Sequence, residues 1–233
     1  MHKMIDKLTQ VQDRLHNACQ RFHRNDDEIT LLAVSKTKSA EELRRVYTAG
    51  QRQFGENYLQ EALEKQQKLQ DLDIIWHFIG PIQSNKTRAL ATHFSWIHSV
   101  DRLKIARRLS EQRPQSLPAL NICLQVNLDA EPSKSGVLLD ELPALVEAVG
   151  KLPHVKLRGL MAIPAPQADF EAQRTSLQRL QSTQQELQQQ GYRLDTLSMG
   201  MSADLEAAVA AGTTMLRIGR DIFGPRSSGT ATP

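Results

Sequence analysis

The sequence predicts a single (β/α)8 barrel preceded by one extra helix. Eight short apolar runs follow one another along the chain, and most are continuous, which is typical of parallel strands covered on both faces. Helical patterns lie between these runs, and the alternation fills most of the 233 residues. No Pro/Gly/Ser-rich stretch divides the chain, so we predict one domain over residues 1–233. A doubly wound open sheet is the alternative, because the second run is short and the seventh is weak.

The chain begins with an amphipathic helical pattern over residues 1–20. Its apolar side chains recur at helical spacing, and the segment lacks the continuous apolar centre of a secretory signal. Because it precedes the first strand, we expect it to lie on the barrel surface as an additional element. Its apolar residues are Ile5, Leu8, Val11, Leu15, Ala18 and Cys19.

The predicted strands are the eight apolar runs. They cover residues 29–34, 53–55, 74–79, 94–100, 120–126, 157–163, 196–199 and 214–218.

Local capping signals mark several of the intervening helices. Ser39 and Glu42 have the spacing of a capping box, and Gly50 is placed to end the helix that they begin. Asp101 is predicted to cap a helix over residues 102–112.

The longest helical pattern covers residues 169–190. It carries an apolar stripe among many glutamines, which we interpret as the solvated face of this helix. Gly191 is predicted to end it. The stripe consists of Phe170, Leu177, Leu180 and Leu187.

Composition excludes several classes of function. A net charge of +3 without a concentrated basic face argues against nucleic acid as a partner. No apolar run is long enough to span a membrane. Cys19 and Cys123 lie in apolar contexts without metal-ligand spacing, so we expect reduced thiols and a cytoplasmic location. His93 and His98 lack helical ligand spacing, and we predict no metal site.

The first strand runs directly into a lysine, Lys36, in "LLAVSKT". A buried lysine is costly unless it is paired, neutralised or used in chemistry, although a lysine just past a strand end often points into water. Active sites of such barrels lie at the carboxyl ends of the strands. The second strand ends in "GENY", which places Asn57 and Tyr58 on the same rim as Lys36.

The last two strands end in sequences suited to an anion. Gly200 permits a turn in "SMGMSADLEAAV", and Ser202 is predicted to cap the following helix, whose first N–H groups favour negative charge. Gly219 permits close backbone approach in "RIGRDIFG", and Arg217 lies beside it. Each residue alone is commonly a cap or a turn. Together they predict a phosphate site across the barrel mouth from Lys36.

A lysine opposite a phosphate site suggests a phosphorylated aldehyde. Pyridoxal 5′-phosphate (PLP) fits, because its aldehyde forms a Schiff base with lysine and the protein tunes its ring through the partner of the pyridine nitrogen. If Arg217 is that partner it can only donate a hydrogen bond, so the nitrogen is unprotonated and the ring is a weaker electron sink.

Seven blocks of the sequence, in order, resemble the YggS-like pyridoxal phosphate homeostasis proteins, a family similar in fold to the N-terminal domain of alanine racemase. The resemblance covers nearly the whole chain, and "WHFIGPIQSNK" is its most specific block. The blocks are "LLAVSKT" at 31–37, "FGENYLQE" at 54–61, "WHFIGPIQSNK" at 76–86, "SKSG" at 133–136, "RGLMAI" at 158–163, "LSMGMSADLEAA" at 197–208 and "RIGRDIFGPR" at 217–226.

The resemblance implies roles for individual residues. Lys36 carries PLP as a Schiff base, Asn57 contacts it near the ring, and Arg217 faces the pyridine nitrogen. The remaining implied contacts are to the phosphate, from Met201, Ser202, Gly219 and Arg220. At position 220 a small hydroxyl residue is familiar in the family, so we expect only a backbone contact from Arg220.

The resemblance also implies a non-catalytic, monomeric protein that stores, buffers or delivers PLP, with other B6 vitamers and PLP-dependent apo-enzymes as candidate partners. The alternative is an amino-acid racemase, which needs a second base opposite Lys36. In alanine racemase that base is a tyrosine from a separate C-terminal domain of the partner subunit. We expect no such domain here, and Tyr58 lies on the same side as Lys36. A barrel that binds another phosphorylated ligand is the third hypothesis.

Some matched positions leave two interpretations open. His77, Gln83 and Lys86 line the rim, or His77 is a core histidine of the third strand. Lys134, in "SKSG", is a second amine near the cofactor or an exposed loop lysine. The tail at 227–233 is predicted to be disordered.

Overall fold

A computed structural model describes residues 2–131 and 134–225, and their strands form one closed parallel barrel. The strands follow chain order around the barrel, and the last pairs with the first through Leu32 opposite Arg217. The predicted (β/α)8 fold is therefore confirmed, and the open-sheet alternative is wrong. The predicted disordered tail at 227–233 lies outside the described residues.

All eight predicted strands are present, with ends shifted by no more than two residues. The strands are β1 (Thr30–Val34), β2 (Gln53–Glu56), β3 (Ile75–Phe78), β4 (Trp96–Val100), β5 (Leu120–Val126), β6 (Val155–Ala162), β7 (Thr196–Ser198) and β8 (Met215–Ile218).

Helices connect the strands and form the outer layer. Those in the described part of the chain are α1 (His2–Arg21), α2 (Ala40–Thr48), α3 (Leu59–Lys68), α4 (Thr87–His93), α5 (Leu103–Gln112), α6 (Leu142–Gly150), α7 (Phe170–Gln189), α8 (Leu205–Ala210) and α9 (Arg220–Phe223). Short 3-10 turns occupy Asp26–Glu28 and Ser84–Lys86. Among the described residues no helix combines the length and apolarity needed to cross a bilayer.

Helix α1 is the predicted additional element. It packs against α2, α8 and α9, and its apolar face is buried from Leu8 to Cys19. Ile5, which the pattern placed on the same face, remains 37% exposed. Both cysteines are buried free thiols, as expected.

The predicted capping box of α2 is confirmed. The Glu42 N–H donates to Ser39 Oγ at 3.2 Å, and the Ser39 N–H donates to Glu42 Oε2 at 2.8 Å. Gly50 and Gly191 follow α2 and α7 with φ of 104° and 96°, as expected of residues that end helices.

Two other N-cap predictions are wrong. The N-cap position of α5 is Arg102 instead of Asp101, that of α8 is Asp204 instead of Ser202, and neither side chain makes a capping hydrogen bond. Asp204 accepts the Met201 N–H on Oδ1 at 2.6 Å, which closes a turn before α8 begins. Helix α8 therefore begins two residues later than predicted.

Candidate functional site at the carboxyl mouth of the barrel

Lys36 lies two residues beyond β1, at the carboxyl end of the barrel. The Ser35 N–H donates to Gly55 O at 2.9 Å, so the strand pairing holds the backbone up to the residue before Lys36. Lys36 is half-buried and lines a cavity of about 290 Å³. The strand end therefore directs this lysine into a cavity rather than into bulk water.

Six of the seven predicted site residues line this cavity, which we call the lysine cavity. They come from the ends of β1, β7 and β8, which the barrel brings together. The six are Lys36, Met201, Ser202, Arg217, Gly219 and Arg220.

Asn57 is the exception, because it lines a second cavity at the same end of the barrel, also of about 290 Å³, together with Gln125, Asn127 and Lys134. The Asn57 Oδ1 atom is buried and has no hydrogen-bond partner within residues 2–131 and 134–225. A buried acceptor of this kind is costly unless a ligand or water satisfies it.

The backbone turns sharply directly after Lys36. Thr37 has a φ of 64°, which is rare for a β-branched residue. The Thr37 N–H donates to Glu61 Oε2 at 3.0 Å, and this contact from α3 holds the turn.

A buried ion pair lies beneath the same turn. Glu56 Oε1 accepts hydrogen bonds from Ser35 Oγ at 2.6 Å and from Lys65 Nζ at 2.8 Å. Lys65 Nζ also donates to Ser35 O at 2.8 Å. Burial raises the pKa of Glu56, and the charge of Lys65 opposes that rise. The pair fixes Ser35, and therefore the backbone that carries Lys36.

Arg217 is 5% exposed and is held by carbonyl and hydroxyl oxygens. Its Nη1 donates to Ser198 O and, at 2.8 Å, to Ser198 Oγ, and its Nη2 donates to Ala162 O at 2.8 Å. Burial lowers its pKa to about 10, so the group remains charged at neutral pH. Its Nε–H and second Nη2–H make no hydrogen bond within the described residues, which leaves two donors for a ligand.

A hydrogen-bonded chain continues from Arg217 through the barrel interior. Ser198 Oγ lies 2.8 Å from His98 Nδ1, and His98 Nε2 lies 2.9 Å from His77 Nδ1. Arginine can only donate, so Ser198 Oγ accepts from it, and the Ser198 hydroxyl proton is then available to His98 Nδ1. When Ser198 donates to His98 Nδ1, the neutral His98 carries its proton on Nε2 and donates to His77 Nδ1.

Both histidines are fully buried, and His77 stacks on Trp96 at 5.4 Å. Burial lowers the pKa of His77 to about 3, and burial with the nearby His77 and Arg217 lowers that of His98 well below its usual value. The core interpretation of His77 is therefore confirmed, and the rim interpretation is wrong.

Two glycines allow the close packing around the lysine cavity. Gly200 has a φ of 92°, and a Cβ there would lie 2.4 Å from Ala208 Cβ. A Cβ on Gly219 would lie 3.1 Å from Val34 O, at the end of β1. Both positions therefore strongly favour glycine.

Three residues expected to hold the phosphate, Met201, Ser202 and Arg220, differ in which of their groups a ligand can reach. The Met201 backbone N–H is already donated to Asp204, and the Met201 side chain is 39% exposed. The Ser202 hydroxyl makes no hydrogen bond among the described residues, so it is available to a ligand. The Arg220 side chain is exposed at the start of α9.

The remaining matched positions lie around the rim. Gln83 and Lys86 are exposed beyond β3. Lys134 is half-buried, lines the cavity of Asn57, and pairs with Glu131 at 3.0 Å and Asp129 at 3.5 Å. Lys134 is therefore not a fully exposed loop lysine, and it does not line the lysine cavity. Within the described ranges no cluster of three or more His, Cys, Asp or Glu residues is placed to hold a metal ion.

Sequence reasoning missed Lys38, which lines the lysine cavity. Its Nζ donates to Phe223 O and Pro225 O, both at 3.2 Å, and so holds the segment after α9 against β1. Ser198 and His98 were also missed as supports of Arg217. The sequence signal for these two residues was weak, because each is only a polar residue within an otherwise apolar strand.

The fold and this cavity define a class of protein: a (β/α)8 barrel with a lysine and cationic neighbours at its carboxyl mouth. Residues 7–227 match the family profile described as alanine racemase, N-terminal domain. The chain is 56% identical over 229 residues to the pyridoxal phosphate homeostasis protein of Pseudomonas aeruginosa, covering 98% of each. The protein of that name from Escherichia coli is 50% identical, with coverage of 97% of this chain and 98% of that protein. The chain belongs to this family of pyridoxal phosphate homeostasis proteins.

Solved structures agree with this assignment. The structure of PipY from Synechococcus elongatus with PLP bound superimposes with a TM-score of 0.84 at 36% identity, covering 95% of this chain and 100% of that one. An alanine racemase from Clostridium difficile superimposes with a TM-score of 0.73 at 12% identity, covering 91% of this chain and 56% of that one. The racemase likeness shows a shared fold only.

Proposed function

We propose that the protein binds PLP in the lysine cavity, with a covalent bond to Lys36, and serves intracellular PLP homeostasis by storing, buffering or delivering the cofactor. The observation that carries this proposal is the shared cavity: an amine, a buried arginine and the segments after β7 and β8 line one space. Relatives at 50–56% identity bear the homeostasis name, and the PipY structure contains PLP.

The residues present fit the cofactor. Lys36 supplies an amine for the aldehyde, and their condensation forms a C=N bond with release of water. The cavity also offers cationic and hydroxyl groups for a phosphate, and within the described residues no carboxylate lines it. The unsatisfied Asn57 Oδ1 at the same mouth is consistent with a ligand that reaches beyond this cavity.

Each residue has a proposed role. Ser202 donates its hydroxyl to the phosphate, Met201 and Gly219 border it, and Arg220 contributes its backbone. Arg217 donates to the pyridine nitrogen, and Asn57 contacts the cofactor near the ring. Bound PLP supplies an electrophilic carbon and an electron-accepting ring. A donor-only partner such as Arg217 keeps that ring unprotonated and limits its electron demand.

We further propose that the protein does not catalyse racemisation. Apart from Lys36 and Lys38, the lysine cavity contains no lysine, histidine, cysteine, tyrosine or carboxylate among its described lining residues. Lys38 is engaged by two carbonyls. Tyr58, the tyrosine at the rim, is 49% exposed and does not line this cavity. A second base opposite Lys36 is therefore lacking among these groups.

The same proposal includes a single domain over residues 1–233, a monomer and a cytoplasmic location. Other B6 vitamers and PLP-dependent apo-enzymes are its proposed partners. The buried free thiols are consistent with a reducing compartment.

The test is a visible spectrum of the protein with PLP, followed by borohydride reduction and peptide mapping by mass spectrometry. We expect a reduced PLP adduct on Lys36 that disappears in Lys36→Ala. Lys104→Ala, which removes an exposed lysine of α5, is the matched control and is expected to retain the adduct. An unmodified Lys36 in excess PLP would leave only the hypothesis of another phosphorylated ligand.

Catalysis is tested separately by incubating the PLP-loaded protein with alanine in heavy water. We expect no exchange of the α-proton above that of free PLP, measured by NMR. Exchange that requires Lys36 would contradict this proposal and favour the racemase alternative.

A further inference from the structure

Arg14, on the helix that precedes the barrel, joins the two segments that border the lysine cavity. Its Nε and Nη2 donate to the two carboxylate oxygens of Glu206, on α8, at 2.7 and 2.8 Å. Its Nη1 donates to Asp221 Oδ2, on α9, at 2.8 Å. A planar guanidinium with two carboxylates at fixed angles defines the spacing between these two short helices.

A fourth hydrogen bond reaches the cavity wall itself. Arg14 Nη2 donates to Ser202 O at 3.1 Å. In a trans peptide the carbonyl and the following N–H point in opposite directions, so the Ala203 N–H points away from Arg14. Ala203 lines the lysine cavity. Arg14 therefore orients a peptide group at the place where we assign the phosphate.

The barrel does not otherwise demand this connection. Helix α1 is not one of the strand-to-strand connections, and it packs against α8 and α9 from outside. The side chain of Arg14 is 37% exposed, so it lies at the surface and not in the core. Its four contacts all go to the two segments after β7 and β8, and none of them goes to β1 or to Lys36.

We propose that Arg14 is a positioning residue for the phosphate end of the cavity, which sets the separation and orientation of residues 201–203 and 219–220 without touching the ligand. The inference rests on the proposed function. It predicts that loss of Arg14 weakens the binding of a phosphorylated aldehyde and leaves unchanged the binding of the same aldehyde without phosphate.

The experiment measures the dissociation constants of PLP and of pyridoxal from the absorbance of the lysine adduct. Both ligands carry the aldehyde, and only PLP carries the phosphate. We expect Arg14→Gln to weaken PLP binding and to leave pyridoxal binding unchanged. Supporting groups behind a metal site contribute about 10–100-fold to affinity, and we expect roughly tenfold here.

Two further variants separate positioning from folding. Asp221→Ala removes only the contact between Arg14 and α9, and it is expected to weaken PLP binding less than Arg14→Gln does. Arg44→Gln is the matched control. Arg44 also makes a bidentate ion pair, with Asp71 at 2.6 and 2.8 Å, and this pair lies away from the lysine cavity. It is expected to bind both ligands as the wild type does.

Equal losses for PLP and pyridoxal in Arg14→Gln, or no loss for either, would overturn the proposal. If the wild type bound both ligands equally, the phosphate assignment and the role of Arg14 would fail while the Lys36 adduct remained. If the wild type formed no adduct with either ligand, the proposed function would fail, and this inference with it.

Discussion

Individual buried side chains show how this site is supported. Arg217 is a cation inside the barrel, and a chain of hydrogen bonds leads from it through Ser198 and His98 to His77. Both histidines are neutral, because burial lowers the pKa of each. A buried neutral histidine makes the free energy of unfolding depend on pH, because the unfolded chain binds a proton that the folded protein does not.

We expect the free energy of unfolding to fall as pH drops from about 6.5, the usual histidine pKa, toward the lowered values in the folded protein. In that window the unfolded chain binds protons at these histidines and the folded protein does not, so acid favours unfolding. His98→Gln is expected to reduce the slope by up to about 1.4 kcal/mol per pH unit. Urea unfolding at pH 7, 6 and 5 measures it.

His93→Gln is the matched control for this prediction, because His93 is exposed at the end of α4 and lies outside the chain of hydrogen bonds. Glu56 also has a shifted pKa, but it is present in every variant and therefore cancels from the comparison. Identical slopes for the wild type and His98→Gln would contradict the assignment of a neutral His98.

At the scale of elements, the packing of α3 on β2 depends on a buried charge pair. The side chains of Lys65 and Glu56 are 8% and 0% exposed, and their charged atoms lie 2.8 Å apart. Glu56 Oε2 has no hydrogen-bond partner within the described residues, so Lys65 is the principal compensation for this carboxylate. Removing one partner of such a pair leaves an uncompensated buried charge.

Lys65→Met is therefore expected to destabilise the protein by about 3–5 kcal/mol, as measured by urea unfolding at pH 7. Combining it with Glu56→Gln is expected to recover part of the loss, because the remaining side chain is uncharged. Lys151→Met is the control, since Lys151 pairs with Glu147 at 2.6 Å on an exposed helix end. A loss in Lys65→Met no larger than in this control would show that the buried pair is not needed.

At the scale of the whole molecule, barrel closure is what assembles the site. Strand β8 pairs with β1, so residues that are about 180 positions apart in the chain, Lys36 and Arg217, line one cavity. Helix α1 then crosses the outside of this junction and contacts both final helices. A ligand bound in this cavity lies against the carboxyl ends of both the first and the last strand.

We expect PLP to stabilise the whole fold in proportion to its occupancy. Binding to the folded state alone adds about 2.7 kcal/mol at a free concentration one hundred times the dissociation constant. The thermal unfolding midpoint, followed by circular dichroism, is expected to rise with PLP concentration in the wild type and in Lys104→Ala, and to rise much less in Lys36→Ala. A midpoint that does not depend on PLP in the wild type would contradict binding to the folded protein.

Much of this architecture follows from local patterns in the sequence. Short apolar runs, most of them continuous, identified all eight strands, because strands covered on both faces bury successive side chains. Helical spacing identified α1 and α7. The capping box at Ser39 and Glu42 was also predictable, since both partners lie within one turn. Lys36, Ser202, Arg217 and Gly219 were found because they lie at or just beyond the carboxyl ends of strands, and these ends must meet in a closed barrel.

By itself the sequence determined the order of elements, the fold and half of the residues that line the lysine cavity. Only the tertiary structure decided that His77 pairs with His98, that Asn57 lines a separate cavity, and that Arg14 joins α8 to α9. The physical reason is the separation along the chain between the residues that interact. Periodicity and capping act over a few residues, whereas these contacts depend on strand register and helix placement across the molecule, which no local pattern records.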